Sequence, residues 1–574
     1  MKSTLRLTVL FFFCVAVLIG VFLTGCNTDD ASLDVYIDPA LLSDYKYEKT
    51  SRGYEITGVE NKEKNSYDIP EGVAVIGDYA FQDCISLKNI TIPDSVTSIG
   101  RFAFDGCSSL VSIRIPDGVT SIGNSAFYGC KNLKSITLSN NLTSIENYLF
   151  SGCGSLTNIT IPSNVTSIGT SAFEKCVGLT NITIPDNVNS IGESAFDGCG
   201  GLESMTVPFV GGSIDAEYGS EEALFSYIFG SSMYDGGTKV SQRYQDKLVH
   251  NPRYLPASLT TVTVTGGKLE YRSFSGCKNI TSIKIPDNIT SIGDFAFNGC
   301  TSLTGITIPE GVTSIGDFAF NGCTSLAGIT IPEGVTSIGD SAFHGCTGLT
   351  IITIPNGVTR IGAAIFYDCK NLVNVDIPDS VTSIGVRAFT GCFKLKSVKI
   401  PYGVTSIGDE TFRNCGITSI DIPESVTSIE AWAFYSCDHL TSLTIPGSVN
   451  SIGYDAFSGC DNVTSLVIEN GVKSLDTDSF FGLEKLKSIT IPDSVESIGY
   501  HAFSGCYNLT SLTLGAGVKH IESGAFSGCP NIKSVMFNGT KEQWAEIDLD
   551  RFWISDPTVT QVICVDGTVS AWRG

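Results

Sequence analysis

The sequence carries 20 cysteines and five histidines, the side chains best suited to metal binding or nucleophilic work, and their spacing argues against both. Cys84, Cys107, Cys130, Cys153, Cys176 and Cys199 stand 23 residues apart, as do Cys277, Cys300, Cys323, Cys346, Cys369, Cys392 and Cys415. Cys437 arrives one residue early, and Cys460, Cys506 and Cys529 continue the beat with Leu483 in the one skipped place. A zinc site draws ligands from positions a few residues apart, which this spacing does not supply. His250, His344, His439, His501 and His520 are scattered, with no pair at helical or finger spacing. Acidic residues recur after a proline: Asp94, Asp117, Asp186, Asp287, Glu310, Glu333, Asp379, Glu424 and Asp493. They read either as a ladder of divalent-cation ligands or as a solvated edge. The edge is favoured, because Ser163, Asn356, Tyr402 and Gly447 stand around the same place elsewhere. No nucleophile has a neighbouring base and no glycine-rich phosphate loop occurs, so neither enzyme activity, metal nor cofactor is expected.

The 574 residues have a formal net charge of -23, with 42% hydrophobic and 17% charged residues. The chain is too apolar for disorder, and so acidic a surface repels nucleic acid and anionic lipid. Lys2 and Arg6 precede an apolar run from Leu7 to Leu23, followed by Thr24-Gly25-Cys26 and the polar Asn27-Thr28-Asp29-Asp30. This layout resembles a bacterial lipobox. It implies a lipoprotein signal peptide over 1–25, lipidation of Cys26, and an exported protein held at the cell surface or outer membrane by its N-terminal lipid alone. The competing reading is a plain signal peptide or signal anchor that happens to contain Cys26.

The elements around the cysteines come from one repeated unit, for example 110–130. Ile113 and Ile115 alternate with Ser112 and Arg114 as in a short strand with one inward face, and Pro116 ends it. Val119 and Ile122 form a second inward piece. Ala126-Phe127 lies in a short helical or turn segment that closes the coil, and Cys130 acts as a small buried hydrophobe. The glycine after the second isoleucine is replaced by Glu146, Glu430, Asp476 or Glu522 in other coils, so no left-handed backbone is required there. A period of 20 to 29 residues opening on Leu-x-x-Ile-x-Ile is the signature of a leucine-rich-repeat solenoid. The expected fold is an α/β-type repeat, mostly β, of about 18 coils of 23 residues with caps at both ends, because one coil cannot bury its own apolar face.

The expected divisions are a linker and N-terminal cap over 26–65, repeats over 66–207, a non-repeat insertion over 208–256, repeats over 257–537 and a C-terminal cap over 538–574. Tyr45 to Val59 reads as a hairpin over the first coil, and Trp544, Phe552, Trp553 and Trp572 as a shield over the last, with a ligand platform as the competing reading. Stacking brings successive cysteines close. In-register side chains point the same way, however, while a disulfide demands that they turn toward each other, which favours a ladder of free thiols over staples.

Two surfaces offer themselves for binding. The first is the row flanking the strand isoleucines: Arg114, Thr137, Thr160, Thr183, Lys284, Thr307, Thr330, Thr353, Asp376, Lys399 and Asp421. This row is shallow and mostly hydroxyl-bearing. The second is the insertion, with Phe209, Tyr218, Phe225, Tyr227, Phe229 and Tyr234 as aromatic contact residues. A partner-contact loop and a packed excursion are both open readings of it.

The unit Ile-Pro-Asp-x-Ile-Thr-Ser-Ile-Gly-x-x-Ala-Phe-x-Gly-Cys at 285–300 resembles the BspA-like leucine-rich repeats of bacterial surface proteins, over roughly residues 66–537. The resemblance implies adhesion to, or protein–protein interaction with, host or neighbouring-cell surfaces. The partner would be an extracellular or cell-surface protein or a glycan. The alternative is a carbohydrate-binding or structural envelope lipoprotein without adhesin activity. No binding residue carries over from the family.

Overall fold

Twenty-three-residue periodicity becomes vertical registry in the computed structural model, which describes residues 21–23, 35–240, 243–244, 247–248, 252–550, 552–554 and 559–571. Cys26, His250 and Trp572 lie outside these residues. The chain divides into two compact units, Met1–Pro286 and Asp287–Gly574, built of the same coil.

Each coil has three sides. On the first, Ser112–Arg114 pairs in parallel with Ser135–Thr137, setting Ile113 beside Ile136, and Ser442–Ile445 pairs likewise with Ser465–Ile468. On the second, Ser121–Ile122 pairs with Ser98–Ile99. The longest second-side ladder runs through Ser406–Ile407, Ser428–Ile429, Ser451–Ile452, Ser474–Leu475, Ser497–Ile498, His520–Ile521 and Asp548–Leu549.

The third side is a turn with no helix. Every second N–H reaches the next coil: Phe102 to the Asn124 carbonyl at 3.1 Å, Phe104 to Ala126 at 2.8 Å and Gly106 to Tyr128 at 2.8 Å. Two residues per coil take the left-handed conformation to allow this. One stands directly before the cysteine, where Gly129 has φ 68°, and the other five before it, where Ser125 has φ 58°. The glycine after the second isoleucine is not among the left-handed residues. In its own coil Gly123 is favoured by proximity instead, since a Cβ there would stand 2.6 Å from the Arg101 nitrogen. Glu146 and Glu430, at the same place in their coils, accept hydrogen bonds from the hydroxyls of Ser144 and Ser428 at 2.6 and 2.8 Å.

The interior is filled by columns. Phe81, Phe104, Phe127, Phe150, Phe173 and Phe196 stack with centroids 5.1 to 5.8 Å apart. A second column in the C-terminal unit runs from Phe297 to Phe526 at 4.9 to 5.8 Å. Near-parallel rings at these separations are offset stacks, which hold each coil to the next beyond the burial of their area. Beside them stand the thiols: among the described residues 18 cysteines are free and buried.

The solenoid has about 22 turns, more than the 18 beats of the sequence, because coils also form where the repeat pattern is absent. Ser534–Phe537 continues the first-side ladder, Asp548–Leu549 the second, and Trp553, 1% exposed, meets Phe526 edge-on at 6.0 Å in the place of a phenylalanine. The helix Lys541–Glu546, held by a Thr540/Gln543 capping box, carries Trp544 against Trp553 at 6.0 Å. In the N-terminal unit the hairpin Tyr45–Thr50 with Gly53–Val59 sets Tyr45 over Tyr67 at 5.6 Å and Phe81 at 6.4 Å.

Candidate binding surfaces

The insertion is itself a coil. Ser204–Val207 pairs directly with Thr261–Val264, and the intervening chain supplies the other sides. The Ile191 N–H donates to Gly212 at 2.7 Å, Ser194 to Tyr227 at 3.2 Å and Phe196 to Ile228 at 2.9 Å. The short 3-10 helix Phe225–Ile228 carries the aromatic column through, with Phe229 6.3 Å from Phe196 and Phe225 4.9 Å from Phe274. The excursion ends in the hairpin Gly237–Val240 with Arg253–Pro256. Arg253 locks it down. Its buried guanidinium donates to the carbonyls of Tyr227 and Phe229, both at 3.1 Å, to Glu193 at 3.0 Å and to Glu221.

This corrects the expectation that the six insertion aromatics form an exposed contact set. Phe209, Phe225 and Phe229 are 2%, 0% and 0% exposed; they are core, because a coil without a repeat signature still has to fill the column. Tyr227 is half-buried beneath Arg253 at 5.4 Å. Tyr234 is half-buried with its hydroxyl donating to the Tyr254 carbonyl at 3.3 Å. Only Tyr218 of the six is open to solvent, at 60%, beside Tyr271.

The first-side row lies where expected. Arg114, Thr137, Thr160, Thr183, Lys284, Thr307, Thr330, Thr353, Asp376, Lys399 and Asp421 are all exposed, because strand alternation sends their neighbours Ile113, Ile136 and Ile352 inward. Within the C-terminal unit a shallow depression of about 370 Å³ crosses the first side of three successive coils, lined by Asn374, Asp376, Ser397, Lys399, Ser419 and Asp421. Lys399 is held there by Asp379 at 2.6 Å. In the N-terminal unit a larger groove, about 720 Å³, runs along the second side between Glu55, Asp78, Arg101, Asn124 and Glu146.

Many polar side chains that could suggest chemistry instead join coils. Asp294 accepts the Asp317 N–H at 2.8 Å, Asp317 that of Asp340 at 2.7 Å and Asp340 that of Ala363 at 2.8 Å. Among the acids after the proline, Asp117 accepts from the Asn140 N–H and Asp493 from the Ala516 N–H, at 2.9 and 2.8 Å. Among the described residues no three His, Cys, Asp or Glu side chains gather as metal ligands would. His344 packs on Tyr367, His501 on Tyr500, and His520 faces Asp548 at 3.3 Å.

A third set of surface side chains had no expectation attached to it: aromatics on the turn side at the places five and six before the cysteine, including Tyr79, Phe102, Trp432, Tyr454 and Tyr500. The signal for them is the variation from coil to coil at places where serine, alanine and glycine also occur.

Residues 60–178, 99–218, 267–392, 359–482 and 451–552 match the BspA type leucine rich repeat region. Similar solved structures include a leucine-rich repeat protein from Bacteroides ovatus, with 25% identity over 91% of this chain and 98% of that one and a TM-score of 0.27. Another is a leucine rich cell surface protein from Faecalibacterium prausnitzii, with 22% identity over 90% and 97% and a TM-score of 0.27. A third is the pneumococcal vaccine antigen PcpA, with 23% identity over 53% and 80% and a TM-score of 0.37. No curated protein matches the chain.

Proposed function

The chain belongs to the BspA-type leucine-rich-repeat family, and we propose that it is an exported, lipid-anchored binding protein that meets extracellular or cell-surface proteins of a host or neighbouring cell. The observation that carries the reading is the exposed first-side row of each unit, hydroxyl and charged groups from Arg114 to Lys284 in the first and from Thr307 to Asp421 in the second. Such relief suits broad contact with a protein surface and gives a small substrate no enclosure. Attachment falls to Cys26 and its lipid; among the described residues no helix is long and apolar enough to cross a membrane.

The test has two arms. Detergent-phase partitioning of the chain and of Cys26→Ser reads the anchor: the variant is expected to leave the detergent phase, and unchanged partitioning without acyl mass on the N-terminal peptide removes the anchor from the account. A panel of immobilised matrix proteins and glycans reads the partner. Saturable binding to proteins supports the proposal, and binding confined to glycans supports the carbohydrate-binding alternative.

A further inference from the structure

In the C-terminal unit the turn side of successive coils carries Trp432 and Tyr435, then Tyr454, Phe481 and Tyr500. Tyr454, Phe481 and Tyr500 are 40%, 41% and 44% exposed, and Trp432 stands edge-on to Tyr454 at 5.2 Å. The fold does not ask for these rings. Trp432's left-handed place, φ 54°, is filled in other coils by Ser125, Ser341, Ala364 and Gly524, and Tyr454's place by Ser523. A bulky ring in a left-handed turn adds strain and exposes apolar surface, neither of which helps folding.

The setting of the rings is acidic. Asp455 and Asp478 occupy the left-handed place in the two coils after Trp432. Burial and the neighbouring Asp455 hold the Asp478 carboxyl above the usual aspartate range, against the opposing pull of His501 3.9 Å away. Asp461 is raised by burial and then by Glu484 and Asp438. Residues 430–500 hold ten Asp and Glu against three Lys and no Arg. The one arginine at the margin shows what the rings accept: the Arg413 guanidinium sits over Tyr435 at 5.2 Å. Aromatic faces and unneutralised carboxylates both attract a cation and both disfavour an anion.

We infer that this lane is a second binding surface, separate from the first-side row, and that it takes an arginine- or lysine-rich segment of a partner protein. The cationic heads lie against Trp432, Tyr454 and Tyr500 and pair with Asp455 and Asp478. The inference rests on the binding-protein reading but not on which protein the first-side row meets.

The test uses the chain from residue 35 onward and a labelled octa-arginine peptide, with octa-glutamate and a neutral maltooligosaccharide as comparators. The double variant Trp432→Ser, Tyr454→Ser installs residues that other coils already carry at these places and leaves the net charge unchanged. Its octa-arginine affinity is expected to fall at least about tenfold, with Tyr79→Ser, Phe102→Ser in the other unit leaving affinity unchanged. Tyr500→Ser, the milder single change, is expected to weaken binding in the same direction, which keeps the test decisive if the double variant unfolds. Equal weakening by the Tyr79, Phe102 pair, no weakening by the lane variants, or preference for the oligosaccharide would each overturn the lane. Loss of lane binding with matrix-panel binding intact separates this surface from the first-side one.

Discussion

Cys130 Sγ donates to the carbonyl oxygen of Phe104 at 3.2 Å, while the same oxygen accepts the Cys107 N–H at 3.1 Å. One carbonyl thus uses both lone pairs, one to close its own coil and one to hold the next. The relation recurs at Cys153 with Phe127, Cys323 with Phe297 and Cys369 with Phe343, which gives the thiols a partner other than each other.

Burial pushes the thiols of Cys153, Cys199, Cys346 and Cys460 up to about 12, so thiolate is scarce at neutral pH. A chain starting at residue 35 is expected to show few reactive thiols when native and about 18 after unfolding without reductant. A count near zero after unfolding would mean disulfides join the coils.

Phe343 stacks between Phe320 and Phe366 at 5.5 and 5.8 Å and is fully buried. Phe343→Ala is expected to cost about 3–5 kcal/mol, read as a lowered urea midpoint. A loss under about 1 kcal/mol would show that the column does not hold the coils together.

Arg253 ties the insertion to the coil before it through Glu193 and to its own turn through Tyr227 and Phe229. Arg253→Ala is expected to speed hydrogen exchange across 225–256 while leaving Ser442–Ile468 protected, at a cost of about 2–4 kcal/mol. Unchanged exchange in the insertion would contradict this role. Deleting 208–256 outright removes the partners of Ser194 and Phe196, so a cleanly folded deletion is not expected.

Asp197 is buried, with Oδ1 lacking a hydrogen-bond partner, and burial holds its carboxyl above the usual aspartate range against the hydrogen bond from Ser232. The folded chain therefore keeps a proton that the unfolded chain gives up. Its contribution is fully present below the ordinary aspartate value, about 3.9, and is lost as pH rises through the higher folded value. Asp197→Asn is expected to raise the melting temperature at pH 7, with the gain vanishing below about pH 4. A gain that persists undiminished in acid would assign it to another cause.

Much of this architecture is legible in the chain because the 23-residue beat and the Ile-x-Ile alternation state it directly: Ile113, Phe127 and Cys130 are buried where their pattern puts them. Phe225 and Phe229 in one unit and Trp553 in the other enter the aromatic columns with no such spacing, since a column accepts any ring delivered by a loop of any length. The left-handed place five before the cysteine is invisible for the opposite reason. Ser125, Phe102, Arg387, Trp432 and Asp455 all occupy it, because the hydrogen bonds between coils impose the conformation regardless of side chain. The preference for Gly123 depends on the distance to the coil before it, which no local pattern records.

The central claim is that exposed first-side residues bind protein while the columns beneath them only support the surface. The direct measurement is equilibrium binding of the chain from residue 35 onward to immobilised matrix proteins, beside Thr307→Lys, Thr330→Lys, Thr353→Lys, with melting temperatures taken in parallel. The account predicts saturable binding to at least one protein, weakened about tenfold or more in the variant at an unchanged melting temperature. Binding that is indifferent to the three substitutions, or confined to glycans, would contradict it.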